Sequence, residues 1–197
     1  MTNTLRLLFL SGALTAAALL TGCAGTQYVD TATKEVPVSA MKKVAQAKPT
    51  QVTFEFMTKG APNAAATKLL KDAVLLQVQE SGLFAPASPG SAMLTISLNN
   101  IPLTDNASRQ GFVTGLTFGL AGSAVTDGYV CTLSYLPAGQ STPIVKTARH
   151  AIHTTLGNAN PPPGAGAPVD GITAVKTMTR DIVSNALRDL SNDPTFN

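Results

Sequence analysis

Alternation of apolar and polar residues, repeated in separate stretches, is the feature that most limits the folds open to this chain. In "QVTFEFMTKG" Val52, Phe54 and Phe56 fall on one side and Thr53 and Glu55 on the other, until Gly60 breaks the pattern. In "AMLTISLNNIPL" Leu94, Ile96 and Leu98 oppose Met93, Thr95 and Ser97, and in "YVCTLSYL" Cys131 shares a side with Tyr129, Leu133 and Tyr135. A period of two is that of a pleated strand with one buried face. "TPIVKTARHAIHTTL" is a further β-rich run, with Ile144, Ala148, Ile152 and Leu156 on its apolar side. It follows "PAGQS", a loop of hairpin length, so it pairs antiparallel with the strand before it.

Strands with one apolar face need a second layer, and two segments have the helical period to supply it. After Pro62, Asn63 is placed to cap a helix over residues 63–81, with Leu69, Leu70, Ala73, Val74, Leu76 and Val78 facing the core. Gly82 supplies the left-handed stop, and Leu83 folds back over the last turn. Asp170 caps a second helix, "GITAVKTMTRDIVSNALRDL", whose stripe is Ile172, Val175, Met178, Ile182, Ala186 and Leu190. "GNANPPPGAGAP" between them excludes helix and central strand, because consecutive prolines remove donors. The expected fold is α+β: a two-layer sandwich of a mixed, mostly antiparallel sheet with two helices on one face, in the order β-α-β-β-β-α.

The organisation along the chain begins with "MTNTLRLLFLSGALTAAALLTGC". It holds one basic residue, Arg6, no acidic residue, and an apolar run over residues 7–20 that is too short for a comfortable membrane span. Residues 1–22 read as a secretory signal. "LTGC", residues 20–23, resembles the lipobox of bacterial lipoproteins. The resemblance implies cleavage before Cys23 and acylation of its thiol, palmitate included. With Ala24 rather than Asp following Cys23, it also implies sorting to the outer membrane, facing the periplasm. Residues 23–50 then read as a lipidated tether that docks partly on the domain. Residues 51–190 are the α+β periplasmic domain, with an apolar glycine-rich insertion at 110–127 and a Pro/Gly loop at 157–169, and 191–197 form a tail.

Composition narrows the function classes. The net charge of +3 has no Lys/Arg block longer than "MKKV", and aromatic residues are 5% with no Trp, so neither a phosphate-tracking nor a base-stacking surface is indicated. Nucleic acid is not an expected partner. With Cys23 acylated, Cys131 has no partner for a disulfide and reads as a small buried apolar residue. His150 and His153 lie three apart in a strand, which sends them to opposite faces, so they do not jointly hold a metal. Asp189 and Asp193 fall on a helix end and tail, where solvation explains them. No carboxylate pair, phosphate loop or nucleophile elbow is present, so neither an enzyme nor a cofactor is expected.

The remaining candidate is "GFVTGLTFGLAG". Seventeen residues without a charge separate Arg109 from Asp127, and Gly111, Gly115, Gly119 and Gly122 recur close to every fourth position. As a helix this segment would reach only about 25 Å, short of a hydrocarbon core of about 30 Å, and its glycines would weaken it. Three readings stay open: an apolar connection between two strands, a segment that contacts membrane or partner, and a ridge that packs copies of the chain together. The candidate contact residues are Gly111, Phe112, Gly115, Leu116, Phe118, Gly119, Leu120 and Gly122.

Signal, lipobox, tether and element order over 51–190 together resemble the small periplasmic lipoproteins of envelope assembly, such as LptE, PelC and LpoB. No site residue is carried over, and the glycine segment departs from the first of these. The resemblance implies a non-enzymatic, lipid-anchored accessory or scaffold subunit of cell-envelope biogenesis or transport, with a protein partner. The alternative is an oligomeric, membrane-inserting or pore-forming lipoprotein packed through residues 111–122.

Overall fold

The alternating stretches become the strands of one sheet. The computed structural model describes residues 25–103, 124–157 and 159–196. In chain order the elements are β1 (Thr26–Asp30), β2 (Lys48–Thr58), β3 (Ala61–Pro62), α1 (Ala64–Glu80), β4 (Phe84–Ala85), β5 (Ala92–Pro102), β6 (Ala124–Leu136), β7 (Ile144–Thr155), β8 (Ala165–Val169) and α2 (Gly171–Ser191). The sheet order is β3-β2-β5-β6-β7-β1-β8, with β4 beside β2. β2 runs parallel to β5 and β4, and all other pairs are antiparallel. Parallel neighbours need a long crossover, and α1 is that crossover between β2 and β5.

Both helices cover one face, as the α+β sandwich requires. Leu94, Ile96 and Leu98 of β5 and Cys131 and Leu133 of β6 are fully buried under them, with Leu70, Val74 and Val78 of α1 and Met178, Ile182, Ala186 and Leu190 of α2. The Asn63 side chain accepts from the Ala66 amide at 3.0 Å, and Gly82 adopts φ +70°, so α1 starts and stops where the capping residues stand. Asp170 caps α2 by accepting from Ile172 and Thr173.

The segment expected to be a tether is instead part of the fold. β1 lies between β7 and β8. The chain then runs beside α2, where two helix serines hold it: the Val36 amide donates to Ser184 Oγ and the Lys42 amide to Ser191 Oγ. Each hydroxyl donates in turn to a carbonyl three residues back, of Asp181 and Arg188. Met41 is buried in the main core. The Pro/Gly stretch also yields a strand, β8, at the sheet edge, where prolines are tolerated. The tail closes the far end of the core: Phe196 is buried, with ring centroids 5.8 Å from Phe84 and 5.0 Å from Tyr135.

Five residues placed inside by periodicity are outside: Leu69, Ala73 and Leu76 of α1, Ile172 of α2, and Leu156 just after β7. On α1 the apolar residues span more of the circumference than one sheet can cover. Replacing Asn63 by Ala is expected to cost about 1 kcal/mol of stability, and by Gly only a few tenths, because Gly keeps the cap conformation. Thermal unfolding followed by circular dichroism checks the order of the three proteins.

Candidate functional site

β7 carries both histidines, and the pleat sends them to opposite faces as expected. His150 points to the helix side. Its Nε2 lies 3.1 Å from Asp181 Oδ2 on α2, and the Ala151 amide donates to its Nδ1 at 2.8 Å. An amide can only donate, so Nδ1 holds a lone pair, Nε2 carries the proton, and the ring is neutral in this geometry.

His153 faces the other side, with β1 and β6 on either flank. Its Nε2 is 3.0 Å from Asp30 Oδ2 and its Nδ1 is 3.0 Å from Thr126 Oγ1. Asp30 Oδ1 accepts from the Ala32 amide at 2.7 Å, a turn that fixes the carboxylate. The His153 and Asp30 side chains have no exposed surface. Hydroxyl, imidazole and carboxylate are the parts of a nucleophilic triad, but here the carboxylate sits on Nε2 and the hydroxyl on Nδ1, and the ring is sealed from solvent. The arrangement fits a buried hydrogen-bonded polar cluster that ties β1, β6 and β7 together. Nearby, Leu103 and Ala151 are buried on this same face, so the second side of the sheet is closed at this end. At the opposite end that side is open, with Met93 and Val145 exposed.

Cys131 lies in the core, and burial pushes its thiol up to about 12, so the thiolate needed for nucleophilic chemistry is suppressed. On the helix side, burial also raises Asp127 above the usual carboxylate range, opposed by a hydrogen bond from Asn100. The same desolvation, with Asp127 beside it, raises the Tyr129 phenol. Asp193, expected to be merely solvated, is ion-paired to Lys146 at 2.6 Å, and Asp189 pairs with its neighbour Arg188. Among the described residues no cluster of three or more His, Cys, Asp or Glu is placed to hold a metal.

The helix layer carries a groove of about 550 Å³ between α1 and α2. Leu69, Ala73 and Leu76 contribute its apolar wall, and Asp72, Glu80, Lys176 and Arg180 are among its charged lining. Sequence reasoning placed these leucines in the core and so missed the groove; nothing in the helical period separates a core leucine from one flanking it. Cys23 and the contact candidates Gly111, Phe112, Gly115, Leu116, Phe118, Gly119, Leu120 and Gly122 lie outside the described residues.

No protein-family model matches the chain, and no curated protein matches it. Among solved structures, "a putative lipoprotein from Caulobacter crescentus CB15" is similar over 70% of this chain and 84% of that one, at 14% identity and a TM-score of 0.24. A likeness of that strength carries no argument about this chain, and it lends no support to the resemblance to LptE, PelC or LpoB.

Two expectations follow from the polar groups. His153→Ala leaves the Asp30 carboxylate buried without its partner, at a cost of about 3–5 kcal/mol. His150→Ala costs less, because Asp181 is partly exposed and can rehydrate. Urea unfolding of both variants ranks them. Asp127→Asn should raise the melting temperature at pH 7. A carboxyl with a raised folded-state pKa favours the fold below its unfolded value, near 3.8, and loses that contribution as pH rises through the folded value. The advantage of the variant should therefore shrink below pH 4, which melting curves across pH will show.

Proposed function

We propose that this chain is a lipoprotein of the outer membrane, anchored through acylated Cys23 and facing the periplasm, that serves without catalysis as an accessory or scaffold subunit in envelope biogenesis or transport. The observation that carries the reading is the lipobox "LTGC" at the end of a short secretory signal. The fold supports it: strand β1 begins at Thr26, three residues after Cys23, so a lipid on that cysteine would be joined to the sheet itself. Among the described residues no helix is long and apolar enough to cross a membrane. Acyl chains contribute about 0.8 kcal/mol per buried methylene, and more than one chain gives stable attachment.

The scaffold role is supported by the buried, mutually satisfied state of the polar groups described above and by the apolar groove left open on the helix layer. Intact mass measurement of protein purified from envelopes is expected to show a mature chain starting at Cys23 with added acyl mass. Exchanging residues 1–23 for a plain cleavable signal should move the protein from the membrane pellet to the soluble periplasmic fraction. Crosslinking in native envelopes should recover a specific partner protein; recovery of none with several crosslinkers of different reach would count against the scaffold role.

A further inference from the structure

Among the described residues eight large apolar side chains are exposed, and three of them, Val125, Leu156 and Ile172, gather at one end of the sheet. That end is where β1 and β6 begin, β7 and β8 finish, and α2 starts. Thr26 is paired with Thr155, which is paired on its other side with Ala124. Val125 stands opposite Thr154. A Cβ built on Gly25 would lie 3.5 Å from Leu156 Cδ2 and 2.7 Å from Thr154 Cγ2, so the Leu156 side chain abuts the residue two positions from Cys23. Gly171, adjacent to Ile172, packs against the Gln27 side chain. Pleat parity puts Val125 and Leu156 on the side of the sheet that α2 covers, and Ile172 in the first turn of α2 completes the patch. Their exposures are 48%, 54% and 57%.

We propose that this end of the domain, through Val125, Leu156 and Ile172, rests in the interfacial layer of a phospholipid bilayer, so that the protein stands end-on upon the membrane rather than hanging from a flexible tether. The inference depends on acylation of Cys23. Three residue steps separate Cys23 from Thr26, and extended chain spans at most about 3.6 Å per residue, which limits their separation to about 11 Å. The polar layer of each leaflet is about 5–8 Å deep. A strand held that close to the acyl chains brings this end of the domain next to the lipid. It also explains why half-exposed Leu156 and Ile172 break the inside–outside pattern of their segments here. Charge sets the kind of bilayer. Asp170 is exposed beside the patch and Lys176 lies one turn further along α2, so the contact is apolar and does not call for an anionic surface.

The test uses the full acylated chain reconstituted in phosphatidylethanolamine/phosphatidylglycerol vesicles, with an environment-sensitive fluorophore on single cysteines introduced as Val125→Cys, Leu156→Cys and Ile172→Cys. Met93→Cys and Val145→Cys are the controls, on strand ends about 30 Å away at about 3.4 Å per residue. Cys131 is buried and stays unlabelled. Nitroxide-bearing lipids should quench the three end labels several-fold more than the controls, and aqueous iodide should quench the controls more. Equal iodide access at all five positions, or lipid quenching of the controls, overturns the proposal. So does shielding of the end labels in native envelopes but not in vesicles, which would identify a protein on the patch. Failure of the protein to float with vesicles would instead refute acylation of Cys23, whereas floating with unquenched end labels refutes the end-on contact alone.

Discussion

One face of the sheet has to be covered, and the rest of the architecture answers to that demand. Leu94, Ile96, Leu98, Cys131 and Leu133 have no exposed surface. Each large apolar side chain taken out of water contributes about 1.5–3 kcal/mol. α1 meets the demand over β2 as the crossover of a parallel pair, and α2 meets it over β6, β7 and β1. His150 is a consequence: a polar ring on the covered face must find a partner in the covering layer, and Asp181 of α2 is within reach.

The first described residues are bound to this frame by hydrogen bonds as well as by apolar contacts such as that of buried Met41. β1 enters between β7 and β8, and its Asp30 is gripped by His153 across the sheet. The strap that follows is fixed by Ser184 and Ser191, seven positions apart on α2, whose hydroxyls accept from strap amides while donating to their own helix. A segment without apolar periodicity can thus be firmly placed when another element offers it hydrogen-bond partners. The same placement brings Cys23 to within a few residues of the sheet.

Much of the core was legible because it obeys a local rule. The strand faces of β5 and β6, the Asn63 and Asp170 caps and the Gly82 stop all follow from residue type and spacing. β1, β8 and the packing of Phe196 were not, since each depends on a distant partner: β7, β1, and the pair Phe84 and Tyr135. Apolar residues that the period assigns to the interior but the fold leaves outside could not be found in advance either. Leu69 and Leu70 are adjacent and chemically identical, yet one is exposed and the other is buried.

By itself the sequence determined strands β2, β5, β6 and β7, the two helices and their ends, the sheet's buried face and the opposite facing of His150 and His153, because alternation, helical period and capping act over a few residues. Only the tertiary structure decided that residues 26–47 belong to the domain, that His153 pairs with Asp30, and that Val125, Leu156 and Ile172 meet at one end. Those outcomes join residues far apart in the chain, such as Asp30 and His153, and no local preference encodes which strand will lie beside which.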